Sequence, residues 1–428
     1  MITNRLSINN GQYGNINNLL KFGQAQANIF ATSDNHGKFD SMPDMAETIQ
    51  KHSDEIFPSS DILDIKNPES VKNIGIFNGD WFMDPAKGSY LTHPDKKAGD
   101  FQLLFLNKLI EQIKKPLKNF IALNAVGNHC LDGGDKYYVD LVTRKNNEFT
   151  TVLSNCNFEK SPIIQNLTPE QKEKIKSSYL LEIPDDKNEN LKHKILVLGV
   201  VIMGVDFYNP GIVNGLDIID RTDKKDSKIK EENIKQTYEV LNNIIQDFKK
   251  ENPKGAVVLM SHTGNAISKM LASNVKDINL ILNGHDHKDT QEIFKTPQGK
   301  EVPILSLGDD NKFFNSVHLN FDDDGNLKIS YKKFDSEKSL ESKNNELGRL
   351  LKECFSKDKE PYFYIRGNEG QVLSQKNIRK QNNLLANFAT DGVLSSIKKY
   401  VPDVQIFGLA SSAIRQDFVV GKKGNNNL

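Results

Sequence analysis

What most constrains this chain is a pattern that recurs five times: an apolar run of strand length stops abruptly and delivers acids, amides or histidines. "ANIFATSDNHG" runs to Thr32 and then presents Asp34 and His36. "VKNIGIFNGDWF" runs to Phe77 and presents Gly79 and Asp80, and "FIALNAVGNHCLDGG" ends in Asn128, His129 and, three residues on, Asp132. "GAVVLMSHTG" ends at His262, and "INLILNGHDH" ends at His285 and His287. Apolar runs of this length bounded by Gly, Asn and Asp read as buried strands. Amphipathic helical stretches lie between them. "DFQLLFLNKLIEQIKK" sets Phe101, Leu104, Phe105, Leu109 and Ile113 at helical spacing, and "IKQTYEVLNNIIQDFKK" does so with Tyr238, Leu241, Ile244, Ile245 and Phe248. Alternating strands and helices predict a layered α/β fold, whose ligand sites lie beyond the carboxyl ends of the strands, where all five polar corners fall.

The chemistry of the corners follows from their residue types. Five of the nine histidines in the chain sit in them, beside Asp34, Asp80, Asn128 and Asp132. Imidazole, carboxylate and amide oxygen without thiolate suit a hard or borderline divalent cation such as Mn, Zn, Fe or Co. Any one corner also reads as a capped turn, since Asp, Asn and His satisfy turn backbone routinely. The recurrence of all five, in order and each after an apolar run, favours a metal centre, with enough ligands for two ions. Two cations roughly 3.5 to 4 Å apart can acidify a water and clamp phosphoryl oxygens during an in-line displacement. Such a pair needs a bridging carboxylate, and Asp80 is the best placed. Cys130 reads as buried filler beside this set, and Asp84, Asp309 and Asp310 as nearby acids without an assigned role.

Composition narrows the remaining classes. The 428 residues favour two domains, and 56 basic against 56 acidic residues leave no net charge to attract a nucleic-acid polymer or an anionic membrane. No window approaches the roughly 20 apolar residues of a bilayer span. The opening "MITNRLSINNGQYGNINNLLKFGQ" lacks the features of a secretory signal, and three scattered cysteines give no disulfide framework, so a cytoplasmic location is predicted, with signal-less export left open. Asp324-Gly325 predicts a two-residue hairpin turn. The expected organisation is an N-terminal segment (1–24), a catalytic domain (25–335), a charged connecting helix or linker (336–361) and a second domain (362–428).

The ordered set "SDNHG", "NGDW", "VGNHCLDGG", "MSHTG" and "NGHDH" resembles the calcineurin-like metallophosphoesterases, and within them the 5'-nucleotidases, 2',3'-cyclic phosphodiesterases and nucleoside-diphosphate-sugar hydrolases. The resemblance covers most of residues 25 to 335 and implies a four-layer α/β sandwich, two sheets flanked by helices. It implies that Asp34, His36, Asp80 and His287 hold one divalent ion (Mn, Zn, Fe, Co or Mg), and Asp80, Asn128, His262 and His285 a second. His129 would then not be a ligand. Oriented by Asp132, it would stabilise the phosphoryl oxygens or protonate the leaving alkoxide. The tail "RKQNNLLANFATDGVLSSIKKYVPDVQIFGLASSAIRQDF" resembles the opening of the 5'-nucleotidase carboxy-terminal domain, making this a partial domain of that type and Arg415 its substrate-binding arginine. The implied activity is hydrolysis of a small phosphorylated substrate, first a nucleoside 5'-monophosphate. Cyclic nucleotides, nucleotide sugars, other phosphate esters including phosphoproteins, and an idle effector on the same fold are the alternatives.

Overall fold

The computed structural model describes residues 25–82, 98–117, 119–188, 190–201, 213–220, 234–338 and 341–355, with two short strands further on. The chain divides into two compact units, Met1–Glu353 and Cys354–Leu428. In the second, Val372–Leu373 pairs antiparallel with Phe418–Val419. Apart from these two strands, the expected second domain, Arg415 included, lies outside the described residues, as does Asp84.

The first unit is built on two sheets. One contains β1 (Ala25–Thr32), β2 (Val71–Asn78), β3 (Phe120–Ala125), β4 (Thr150–Val152), β5 (Ile175–Lys176), β12 (Phe313–Phe321) and β13 (Leu327–Asp335) in the order β13-β12-β1-β2-β3-β4-β5. The other runs β10-β11-β9-β8-β7-β6, from β6 (Tyr179–Pro184), β7 (Lys192–Val201), β8 (Ala256–His262), β9 (Leu280–Asn283), β10 (Gln291–Lys295) and β11 (Glu301–Ser306). Strands β1, β2 and β3 are mutually parallel, as are β7, β8 and β9. All five polar corners are therefore the carboxyl ends of parallel strands, three from the first sheet and two from the second.

The sheets meet face to face, and alternate residues supply the core. Ala25, Ala27, Ile29 and Ala31 of β1, Ile195 and Val197 of β7, and Val258 and Met260 of β8 belong to one buried apolar cluster. Helices cover the outer faces, so parallel strands buried on both sides read as continuous apolar runs rather than as alternation. Helices α1 (Met42–Lys51) and α2 (Ala98–Lys114) pack on each other, and Phe39 stacks on Phe105 with ring centroids 4.5 Å apart. Helix α3 (Asp135–Val142) contacts α2, and α4 (Lys235–Glu251) and α5 (Asn265–Asn274) complete the longer helices of the sandwich. This is the predicted four-layer arrangement.

Two local expectations are corrected. Leu104, placed on the buried face of α2, is 40% exposed, whereas Leu106 and Ile110 are buried. At 100° per residue, Leu104 falls opposite the arc from Phe101 through Leu109 to Ile110, and the i+3 spacing that suggested it is met on the wrong side. The β12–β13 hairpin closes not through two residues but through 322–326. Asp322 accepts there from the backbone N–H of Asp324 and of Asn326, and Gly325 takes a positive φ of 74°. The stretch expected as a connecting helix or linker contains α6 (Glu346–Phe355), and within the first unit Asn345 donates to Pro43 O, Glu346 pairs with Lys108, and Leu347 is fully buried.

Candidate metal centre

Three of the five corners leave their strands through an unusual backbone turn. Among the described residues, Asp34, His36, Asp80, His285 and His287 all have positive φ, between 50° and 87°, although none is glycine. Left-handed conformations of this kind cost an L-residue roughly 1 to 3 kcal/mol each and persist only where surrounding structure enforces them. Here it does: Asp34 N–H donates to Gly79 O (3.1 Å), and His36 N–H to Asp80 O (2.9 Å), knitting the first two corners together. Two glycines permit close approach. A Cβ on Gly127 would lie 2.1 Å from Asp80 Oδ1, and one on Gly284 would lie 2.2 Å from Ser33 Oγ. Neither position accepts a larger residue without displacing a corner.

The side chains converge from both sheets. His262 Nε2 lies 3.1 Å from Asp80 Oδ2 and 3.8 Å from Asp34 Oδ1; His36 Nε2 lies 3.4 Å from Asp80 Oδ2; His287 Nε2 lies 3.3 Å from Asp34 Oδ1. Three groups emerge whose ligand atoms all lie within 4.8 Å of one another: Asp34, His36 and His287; Asp34, Asp80 and His262; and His36, Asp80 and His129. Asn128 Oδ1 meets His285 Nδ1 at 2.9 Å. The backbone fixes both carboxylates, since Asp80 Oδ1 accepts from His129 N–H (2.8 Å) and Asp34 from His285 N–H (3.1 Å).

Several features fit a divalent cation. Nε2 of His36 and Nε2 of His262 are buried, yet among the described residues neither has a hydrogen-bond partner. Both lie within reach of carboxylate oxygen but off the hydrogen-bonding axis, an arrangement suited to donors that share a central ion. In His262 the other nitrogen, Nδ1, lies 2.8 Å from the carbonyl oxygen of Asn78 and must donate to it, which fixes Nε2 as the atom turned to the site. Electrostatics agree. Burial opposes the charge on Asp80 and Asp34, but the facing histidines, His262 foremost, together outweigh it and hold both carboxyls low, Asp80 well below the ordinary range. Burial disfavours protonation of His262, yet the two carboxylates carry it up to about 9. Burial and repulsion from His262 push His285 down to about 4. Two buried carboxylates thus require positive charge at their centre, and divalent ions would take the place of that proton.

His129 stands apart from the ligands in one respect. Its Nδ1 lies 2.9 Å from Asp132 Oδ2, and both side chains are about a quarter exposed, 28% and 26%, where Asp34, Asp80 and His262 are closed to solvent. Distance alone leaves it within ligand range of His36 and Asp80. Cys130 is excluded as a thiolate: burial pushes it up to about 12, and its sulfur accepts from Gly127 N–H at 3.3 Å. Sequence reading missed two neighbours, Ser33 and Asn78, that hydrogen-bond into the corners. The only signal was their place beside Asp34 and before Gly79-Asp80.

No family model and no curated protein matches the chain. Solved structures do. A 5'-nucleotidase precursor from Thermus thermophilus is 15% identical with a TM-score of 0.55, the match covering 88% of this chain and 68% of that one. A Staphylococcus aureus structure assigned as a 5'-nucleotidase and solved with α-ketoglutarate is 15% identical with a TM-score of 0.59, covering 87% and 66%. The sulfate thiohydrolase SoxB from Thermus thermophilus, solved with glycerol, is 12% identical with a TM-score of 0.51, covering 89% and 68%. The chain spans about two thirds of each of these structures. At such identities the likeness shows the fold alone, a layered α/β sandwich shared with these structures. No helix among the described residues is long and apolar enough to cross a membrane.

Proposed function

We propose that this protein is a metal-dependent hydrolase of phosphate esters, with a dinuclear centre at the meeting of the two sheets and a nucleoside 5'-monophosphate as its first candidate substrate. The observation that carries the reading is the pair of buried, unpartnered histidine Nε2 atoms, His36 and His262, facing Asp34 and Asp80. Asp34, His36, Asp80 and His287 would hold one divalent ion, and Asp80, Asn128, His262 and His285 the other, with Asp80 common to both. Bound there, the pair would supply Lewis acidity, lowering the pKa of a water and neutralising charge on the phosphoryl oxygens.

The chain's own residues account for orientation and proton transfer. His129, its Nδ1 held 2.9 Å from Asp132 Oδ2, would present Nε2 to a phosphoryl group or leaving oxygen. A carboxylate behind the ring favours its protonated form and limits its rotation, as a general acid requires. By the sequence resemblance, Arg415 would bind substrate. Nucleotide specificity draws support from the sequence resemblance and from the two solved structures described as 5'-nucleotidases.

The test is phosphate release by the purified full chain, loaded in turn with Mn, Zn, Co and Mg, from nucleoside monophosphates, cyclic nucleotides, nucleotide sugars and phosphopeptides. Turnover of at least one class that a chelator abolishes and added metal restores supports the reading. No turnover of any class with any metal rejects it in favour of an idle protein on this fold.

A further inference from the structure

We infer that Asn78, to which the sequence motifs assign no role, is the positioning residue that sets the strand ends of the metal centre against one another. It is the last residue of β2 and fully buried. Its backbone pairs within the first sheet, opposite Ala125, while its side chain crosses to the second. There Nδ2 donates to Ser261 O at 3.3 Å and to Leu282 O at 3.0 Å. Ser261 precedes His262, and Leu282 lies three residues before His285. One amide therefore grips both ligand-bearing strands of the second sheet.

Its main chain completes the set. Asn78 O accepts from Ser33 Oγ, beside Asp34, and from His262 Nδ1 at 2.8 Å. The next two residues, Gly79 and Asp80, both have positive φ. Asn78 thus touches four of the five corners directly, and the fifth joins through the His129 N–H bond to Asp80. Its own Oδ1 is buried without a partner among the described residues. Both of its N–H donors are committed to the other sheet, and the orphaned oxygen follows from that. By holding Asn78 O against His262, the amide keeps the ring in the tautomer that turns Nε2 to the site.

Asn315 provides an internal comparison. It lies on β12 and donates from Nδ2 to Ser306 O at 3.0 Å, also crossing between sheets, also with its Oδ1 unmet, but it touches no candidate ligand. The experiment titrates the full metal-free chain with Co²⁺, reading affinity by chelator competition and geometry by the visible absorption bands, in wild type, Asn78→Leu and Asn315→Leu. Asn78→Leu is expected to weaken Co²⁺ binding by roughly 10- to 100-fold and to change the band shape, as loss of outer contacts to metal ligands does. Asn315→Leu should stay within about threefold on the same scale. If Asn78→Leu does not fold, Asn78→Ser, which keeps one donor, should give an intermediate loss. Wild-type affinity in a folded Asn78 variant, an equal loss in Asn315→Leu, or unfolding of both Asn78 variants while Asn315→Leu folds would each overturn the inference. It rests on the metal-centre reading, but the two fail differently: wild-type protein that takes up no Co²⁺ defeats that reading, and unchanged uptake by folded Asn78→Leu defeats only this one.

Discussion

The space between the two sheets differs sharply from its rim at the carboxyl ends of the strands. Between the sheets, Ile29, Ile76, Val197, Val258, Leu282 and Leu319 meet as one apolar cluster. At the rim the sheets are tied by directional bonds: Asn78 to Ser261 and Leu282, Asn315 to Ser306, Asn155 to Val201, and Ser154 with Gly199. Apolar burial is non-directional and tolerates small slides of one sheet over the other. Hydrogen bonds weaken steeply as they bend, so the rim fixes the relative position of the five corners. Cohesion comes from the interior, and registration of the site from the rim.

The largest expected effect falls on the rim. Asp80→Asn removes the carboxylate common to both proposed ion positions, and kcat should fall by about 10⁴-fold or more, with a matching loss of metal measured by plasma emission. Wild-type metal content in that variant would break the division between the regions. His129→Ala should lower kcat by about 10³-fold while leaving metal content intact, because it acts on the proton rather than on the ions. Loss of metal along with activity would make His129 a ligand instead.

Interior changes should act on stability alone. Leu319→Ala opens a cavity in the apolar cluster and is expected to cost about 3 kcal/mol in urea unfolding, with metal affinity unchanged in the folded protein. A smaller effect sharpens the comparison, from a polar network on the outer face of the first sheet. There His318 Nδ1 lies 2.9 Å from Asn28 Oδ1, and burial pushes the ring down to about 4 from 6.5, against a weaker opposing pull from Glu55. The unfolded chain binds this proton below pH 6.5, and the folded chain only near pH 4. Stability from His318 is therefore full above pH 6.5 and lost as pH falls towards 4, by about 2 kcal/mol allowing for partial exposure. His318→Gln should flatten that part of the stability profile measured by urea unfolding; an unchanged slope would place the acid sensitivity elsewhere.

Much of the site was legible because its residues lie within a few positions of recognisable strand ends. Asp34, His36, Asp80, His262 and His287 were identified from runs such as "IFATSDNH", and the structure brings them together. Asn78 was not legible. In "IFNGDW" it is one more polar residue at a strand end, and its importance comes from Ser261 and Leu282, far along the chain. Leu104 was misread because a single i+3 step looks apolar on either side of a helix. The closing loop at 322–326 was misread because Asp-Gly marks a turn without counting the residues that Asp322 caps.

The sequence by itself determined the layered α/β class, the strand ends and the types of group available there, because periodicity and turn chemistry act over a few residues. Tertiary structure alone decided which groups meet, as Asp34 meets the backbone of His285 from the other sheet. It also decided that five corner residues adopt left-handed backbone, that His262 offers Nε2, and that the Asn78 amide bonds across to Ser261 and Leu282. Those outcomes depend on contacts between segments distant in the chain, which local pattern does not encode.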